Sequence, residues 1–151
     1  MKDKQLVVSA IKNGTVIDHV PATALFNVVT ILKLDKLETM VTFGNNLGSK
    51  KLGKKGIIKL SEVFFKDDDI NKIALVAPSA KLNIIRNYEV VEKKVVEVPD
   101  EIIGIVKCVN PKCITNNQPV TTRFSVVSKK EIKLRCHYCE KITNSENIEI
   151  I

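Results

Sequence analysis

The chain has no tryptophan, and aromatic residues make up only 5% of its 151 positions. Large rings therefore cannot carry the core, which must rest on Ile, Val and Leu; a hydrophobic content of 44% is enough for one domain or two small ones. No window approaches 18 uninterrupted apolar residues, which excludes a membrane-spanning helix. Nothing near Met1 resembles a basic region followed by an apolar export core, so the expected location is cytoplasmic. Internal repeats and low-complexity runs are missing as well. Catalytic signals are equally sparse. The chain has two histidines, His19 and His137, and no Ser-His-Asp or Cys-His set can be assembled around them. The stretch Gly48-Ser-Lys-Lys-Leu-Gly53-Lys54-Lys55 has the glycines and one lysine of a phosphate loop but ends in Lys where that loop needs Ser or Thr. The chain reads as no enzyme.

What is present begins with four cysteines, all the chain has, spaced C-x4-C-x22-C-x2-C: Cys108, Cys113, Cys136 and Cys139. A short turn between two thiolates lets both sulfurs face one ion, and two such turns close a tetrahedral shell, the pattern of a structural Zn2+ site. A closed shell leaves no position for a reacting water. Two disulfides would suit a small secreted domain, which the missing export segment argues against; an iron-sulfur cluster is the remaining alternative.

Net charge is +7 and the isoelectric point is near 9.2, compatible with nucleic acid, nucleotides or an acidic partner surface. Lys and Arg outnumber Asp and Glu by 16 to 11 in residues 1–99 and by 8 to 6 in residues 100–151. One Zn2+ with four thiolates would remove two units from the second segment and leave it about neutral. Phe124 and Tyr138 are the only aromatics there. A zinc-ribbon nucleic-acid binder, the alternative reading, would want charge and stacking rings together.

Along the chain, Leu6–Ile11 reads as a strand, Asn13-Gly14 as a turn and Thr15–Asp18 as a second strand. Leu25, Val28, Val29 and Leu32 mark a helix from Pro21 to about Leu34. Thr39–Phe43 is β-like, residues 44–56 read as a mobile basic loop holding Lys50, Lys51, Lys54 and Lys55, and Ile57–Leu60 is a strand. Asp67 should cap a second helix reaching Ala77, before strands at Leu82–Ile85 and Tyr88–Val98. This split order predicts a ferredoxin-like α/β sandwich, an antiparallel sheet with two helices, over residues 1–99. A break at Val98-Pro99-Asp100 predicts a small all-β second domain over 100–151, with strands at Ile103–Val106, Arg123–Val127 and Ile132–Leu134. The fold class is α+β. Candidate ligand groups in the first domain are Asp18-His19 after a strand, the strand-edge lysines Lys12, Lys59, Lys93 and Lys94, and the polar Asn83 and Tyr88 among apolar strand residues.

Ala10-Ile-Lys-Asn-Gly-Thr-Val-Ile-Asp-His-Val-Pro-Ala22, Ile58-Lys-Leu60, Asn87-Tyr-Glu-Val-Val91 and the two cysteine knuckles, the second running on to Glu140-Lys141, together resemble the regulatory chain of aspartate carbamoyltransferase. The match runs in order through nearly the whole chain. The resemblance implies a non-catalytic allosteric subunit that governs the first committed step of pyrimidine biosynthesis. Its N-terminal domain would bind CTP and UTP as inhibitors and ATP as activator, with Mg2+ a candidate counter-ion. Its second domain would be a rubredoxin-like zinc fold docking the catalytic chain. Regulatory homodimers would bridge catalytic trimers into a dodecamer of six chains of each kind, without nucleic acid or membrane partners. Carried over by position, Lys93 and His19 would meet the phosphates, while Lys59, Asp18 and Val8 would lie near the ribose. The main chain of Ile11 and Tyr88 would read the exocyclic amino group, with Ala10, Val16, Asn83, Ile85 and Val90 completing the wall. Asn110, Tyr138, Glu140 and Lys141 would face the catalytic chain.

Overall fold

The computed structural model describes residues 10–151, which divide into two compact units with the boundary between Val96 and Glu97. In the first unit the order is β1 (Gly14–Pro21), α1 (Leu25–Ile31), β2 (Val41–Ser49), β3 (Gly53–Ser61), α2 (Asp67–Ile70), β4 (Lys81–Arg86) and β5 (Glu89–Val95). The strands form one antiparallel sheet in the order β2-β3-β1-β4-β5, the split ferredoxin-like arrangement with one strand added at the β4 edge.

Alternation along the strands separates the two faces of the sheet. Thr15 and Ile17 of β1 pair with Leu60 and Ile58 of β3 and with Ile84 and Leu82 of β4. This face is dry: Ile17 and Ile58 are fully buried, and Leu25 and Val28 of α1 with Ile70, Ile73 and Ala74 of the second helical stretch are buried in the same core. The buried Thr15 hydroxyl donates to the Val63 carbonyl at 2.6 Å, so its polar atom costs little. On the other face Lys59, Val16, Asn83 and Lys93 follow one another across β3, β1, β4 and β5. Sequence neighbours thus serve opposite ends of the molecule's chemistry: Ile58 packs the core and Lys59 faces away from it.

Several elements differ from the sequence reading. Leu6–Ser9 of the expected first strand, Val8 among them, lie outside the described residues, and Ala10 and Ile11 are not in a strand. α1 stops at Ile31, because Lys33 takes a left-handed φ of 55° and the β-branched Val28, Val29, Thr30 and Ile31 favour a short helix. The expected basic loop is instead a hairpin, with residues 50–52 as its turn; pairing of β2 with the apolar β3 overrides the glycine signals. α2 has four residues and continues as the 3-10 turn Asn71–Leu75, and its cap position is Lys66, leaving Asp67, Asp68 and Asp69 inside the first turn. β5 ends at Val95.

The second unit is a four-stranded antiparallel meander, β6 (Glu101–Ile103), β7 (Arg123–Ser128), β8 (Lys133–Cys136) and β9 (Ile142–Asn144). The strand expected at Ile103–Val106 begins earlier and breaks at Gly104, which has φ 71°, while Val106 forms an isolated bridge with Ile150. β8 runs to Cys136, and β9 has no counterpart in the sequence reading. Its core is Ile102, Val106, Phe124 and Leu134, joined by three of the cysteines. No helix among the described residues is long and apolar enough to cross a membrane.

Candidate functional site

In the second unit, the sulfurs of Cys108, Cys113, Cys136 and Cys139 all lie within 4.8 Å of one another. Cys108 and Cys139 are 3.6 Å apart, and Cys113 and Cys136 are 3.7 Å apart. β8 delivers Cys136 opposite Phe124, and the Glu140 amide donates to the Cys136 carbonyl at 3.0 Å, folding the knuckle back. Donors already point at the sulfurs: the Thr115 hydroxyl reaches Cys113 at 3.2 Å and the Tyr138 amide reaches Cys136 at 3.4 Å. Burial pushes the Cys108 thiol up to about 12 and raises Cys136. Burial also acts on Cys139, but donors from the Lys141 main chain and the Asn110 side chain outweigh it and bring that thiol down to about 7. Four thiols so crowded repel one another once ionised, and a cation at their centre removes that cost. The spacing suits one four-coordinate metal ion, not a cluster dividing the thiolates among several irons. No atom of the shell is left for a substrate.

The residues around this centre are not equivalent. Tyr138 and Glu140 are exposed, as is Lys141. Asn110 is half-buried: its side-chain oxygen accepts from the Lys112 amide at 3.1 Å, and its carbonyl accepts from Asn116 at 2.7 Å. Phe124 is fully buried, so Tyr138 is the one aromatic this unit offers to solvent, and a stacking platform for bases is missing.

In the first unit, Asp18, His19, Asn83 and Lys93 line one cavity of about 340 Å³ together with Lys81, Lys94 and Val95. A bulge makes it. The β1–β3 register slips between Ile17 and Val20, and His19 takes φ 59°, a left-handed conformation that His tolerates better than most residues. The Asp18 carboxylate accepts from the His19 amide at 2.6 Å and pairs with Lys55 at 2.9 Å, while the Ser79 hydroxyl donates to the His19 carbonyl. These contacts lock the bend. His19 Nδ1 is buried and makes no hydrogen bond among the described residues, so it is a polar atom with capacity for a ligand.

Lys59 stands on the same face as the cavity but outside its lining. Burial lowers its pKa from the ordinary 10.5, partly offset by Asp18. Ile85, Tyr88 and Val90 gather further along β4 and β5, where Ile85 pairs with Val90, and they too lie outside the cavity. Tyr88 is exposed, with φ 68° beside Asn87 at 51°, and its amide donates to the Lys12 carbonyl at 2.9 Å. Ile11 approaches this corner, its side chain 3.1 Å from the space a Cβ on Gly14 would fill. Lys81 belongs to no sequence motif; only the pairing Asp18–Lys81–Val95 across three strands places it at the site.

Two family models match the chain: aspartate carbamoyltransferase regulatory chain, allosteric domain, over residues 6–97, and the metal binding domain of the same chain over residues 100–149. Among curated relatives, the aspartate carbamoyltransferase regulatory chain of Bacteroides fragilis is 60% identical over 146 residues, covering 97% of this chain and 95% of its own. That of Porphyromonas gingivalis is 53% identical over 151 residues, covering all of both chains. That of Pyrococcus abyssi is 55% identical over 146 residues, covering 95% of this chain and 96% of its own.

Proposed function

This chain belongs to the family of aspartate carbamoyltransferase regulatory chains, and on that premise we propose that it is a cytoplasmic, non-catalytic subunit that senses nucleoside triphosphates for that enzyme. The proposed division is an allosteric domain over residues 1–99 and a docking domain over 100–151. CTP and UTP would inhibit and ATP activate, with Mg2+ accompanying the phosphates. The cavity holding Asp18, His19, Asn83 and Lys93 carries this reading. At about 340 Å³ it has the size of a small-molecule site, and an anion with several charges would engage the Lys93 ammonium and the unsatisfied His19 Nδ1. His19 and Lys93 would meet phosphate oxygens, each charge-assisted hydrogen bond contributing roughly 1.5–3 kcal/mol. Asp18 and Lys59 would sit by the ribose. Carbonyls of Ile11 and Tyr88 would receive the exocyclic amino group of cytosine or adenine, a group that uracil replaces with an acceptor. UTP would therefore depend on contacts other than that pair. Val8, Ala10, Val16, Ile85 and Val90 would complete the wall.

The metal we propose is Zn2+. With Zn–S near 2.3 Å a regular tetrahedron has edges of about 3.8 Å, close to the 3.6 and 3.7 Å sulfur separations. Bound there, the ion would supply rigidity and no reaction. The four cysteines would hold both knuckles so that Asn110, Tyr138, Glu140 and Lys141 present a fixed polar surface to a catalytic chain, the local bonds of Asn110 steadying the first knuckle. Homodimers of this chain would then bridge catalytic trimers in a six-plus-six dodecamer. An effector regulates by binding one quaternary state better than the other, and about 1–3 kcal/mol of such preference is typical.

The test is co-expression with a catalytic chain, then carbamoyl-aspartate formation against aspartate concentration with CTP, UTP or ATP added. Curves displaced by the nucleotides in the assembled complex support the proposal. Curves unmoved by all three overturn it.

A further inference from the structure

Lys81, the first residue of β4, lines the cavity and makes no ion pair among the described residues. Its cross-strand neighbour on β1 is Asp18, which ought to neutralise it. Yet the ion pair of Asp18 among the described residues is with Lys55, whose ammonium lies 2.9 Å from Oδ1, the same oxygen that accepts from the His19 amide at 2.6 Å. Lys94, on the same cavity, is likewise committed, to Asp67 at 3.1 Å and Glu92 at 3.8 Å. Among the described residues no ion pair joins Lys81 or Lys93 to an acid.

Both free ammonium groups line one cavity from the same face of the sheet. Asn83 pairs with Lys93, and Lys81 lies two residues before Asn83 on β4, so Lys81 and Lys93 are diagonal neighbours on β4 and β5, roughly 7 Å apart at Cα. Like charges held so near one another repel, and an exposed sheet would ordinarily place an acid between them. A ligand bearing several negative charges supplies what the sheet lacks.

Resting on the nucleotide reading above, we propose that Lys81 is a further phosphate-contacting residue, which with Lys93 makes this cavity select its ligand by the number of phosphates. A triphosphate is long enough to engage both lysines and His19; a monophosphate engages fewer. Lys55, not Lys81, forms the ion pair with Asp18, so the hairpin lysine acts as a positioning residue.

The experiment is calorimetric titration of the full-length, metal-loaded chain with CTP, CDP and CMP, comparing the parent with Lys81→Gln and Lys81→Arg. Because Lys81 is exposed, neither substitution disturbs the core. Lys81→Gln should weaken CTP about tenfold and CMP less than about twofold, while Lys81→Arg keeps most of the parent's preference for CTP. Loss that is equal for CTP and CMP, or no loss for either, overturns the role of Lys81 while leaving the nucleotide site intact. A parent chain that binds none of the three overturns the nucleotide reading itself.

Discussion

Lys59 carries a charge on β3 that the surrounding sheet makes costly. Its pKa is pulled below 10.5 chiefly by burial, with Asp18 acting in the opposite direction. Between that lowered value and 10.5 the unfolded chain binds more protons than the folded one, so this residue adds stability as pH rises through the window and loses it as pH falls. An anionic ligand reverses the preference, because it favours the charged lysine. Lys59→Met is therefore expected to leave thermal stability at neutral pH unchanged or slightly higher while weakening CTP. Paired melting curves and binding isotherms check this, and a variant that melts earlier yet binds CTP normally would contradict it. In the parent, CTP affinity should fall on the alkaline side at a pH below 10.5, and Lys59→Gln should remove that limb.

At the scale of elements, the turn joining β4 and β5 keeps two non-glycine residues left-handed, Asn87 and Tyr88. Such hairpin turns favour Asn-Gly, so a tyrosine at the second position costs free energy that glycine would not. Tyr88→Gly should raise stability by up to about 1 kcal/mol and, by loosening the carbonyl proposed to receive the base, reduce discrimination between CTP and UTP. Equal stability, or unchanged nucleotide preference, would count against this account. Gly56 on β3 has the opposite need: a Cβ there would come within 2.8 Å of Leu25 Cδ1 and 2.9 Å of Asn45 Oδ1. Gly56→Ala should force the Leu25 and Asn45 side chains to move in a packed core and cost about 1–3 kcal/mol, read by denaturant titration. These are contacts between segments distant along the chain. The glycines around Gly56 read as a loop because turn propensity is local, whereas the β2–β3 ladder that claims them is not.

For the whole molecule, the two units have separate cores, and only the second contains the cysteine tetrad. Stripping the metal with a mercurial should leave the first unit folded and still able to bind CTP, while the second loses its fixed knuckles and assembly with catalytic chains fails. Sizing chromatography and far-ultraviolet circular dichroism separate these effects. A complex that stays intact after full metal loss would show that docking does not depend on the ion.

Order and chemistry were written locally. The spacing of Cys108, Cys113, Cys136 and Cys139 announces one ion because ligand spacing in a short turn sets where two sulfurs face, and alternation in β1 and β4 announces a sheet with one dry face because successive side chains point opposite ways. Convergence was not. That Lys81 meets Lys93, that a bulge turns His19 toward them, and that Lys55 rather than Lys81 holds Asp18 depend on strand register and on residues up to 75 positions apart, from Asp18 to Lys93. A chain states which groups it owns. Only pairing between distant strands decides which of them share a cavity, because register is settled by the buried face and the polar face inherits the result.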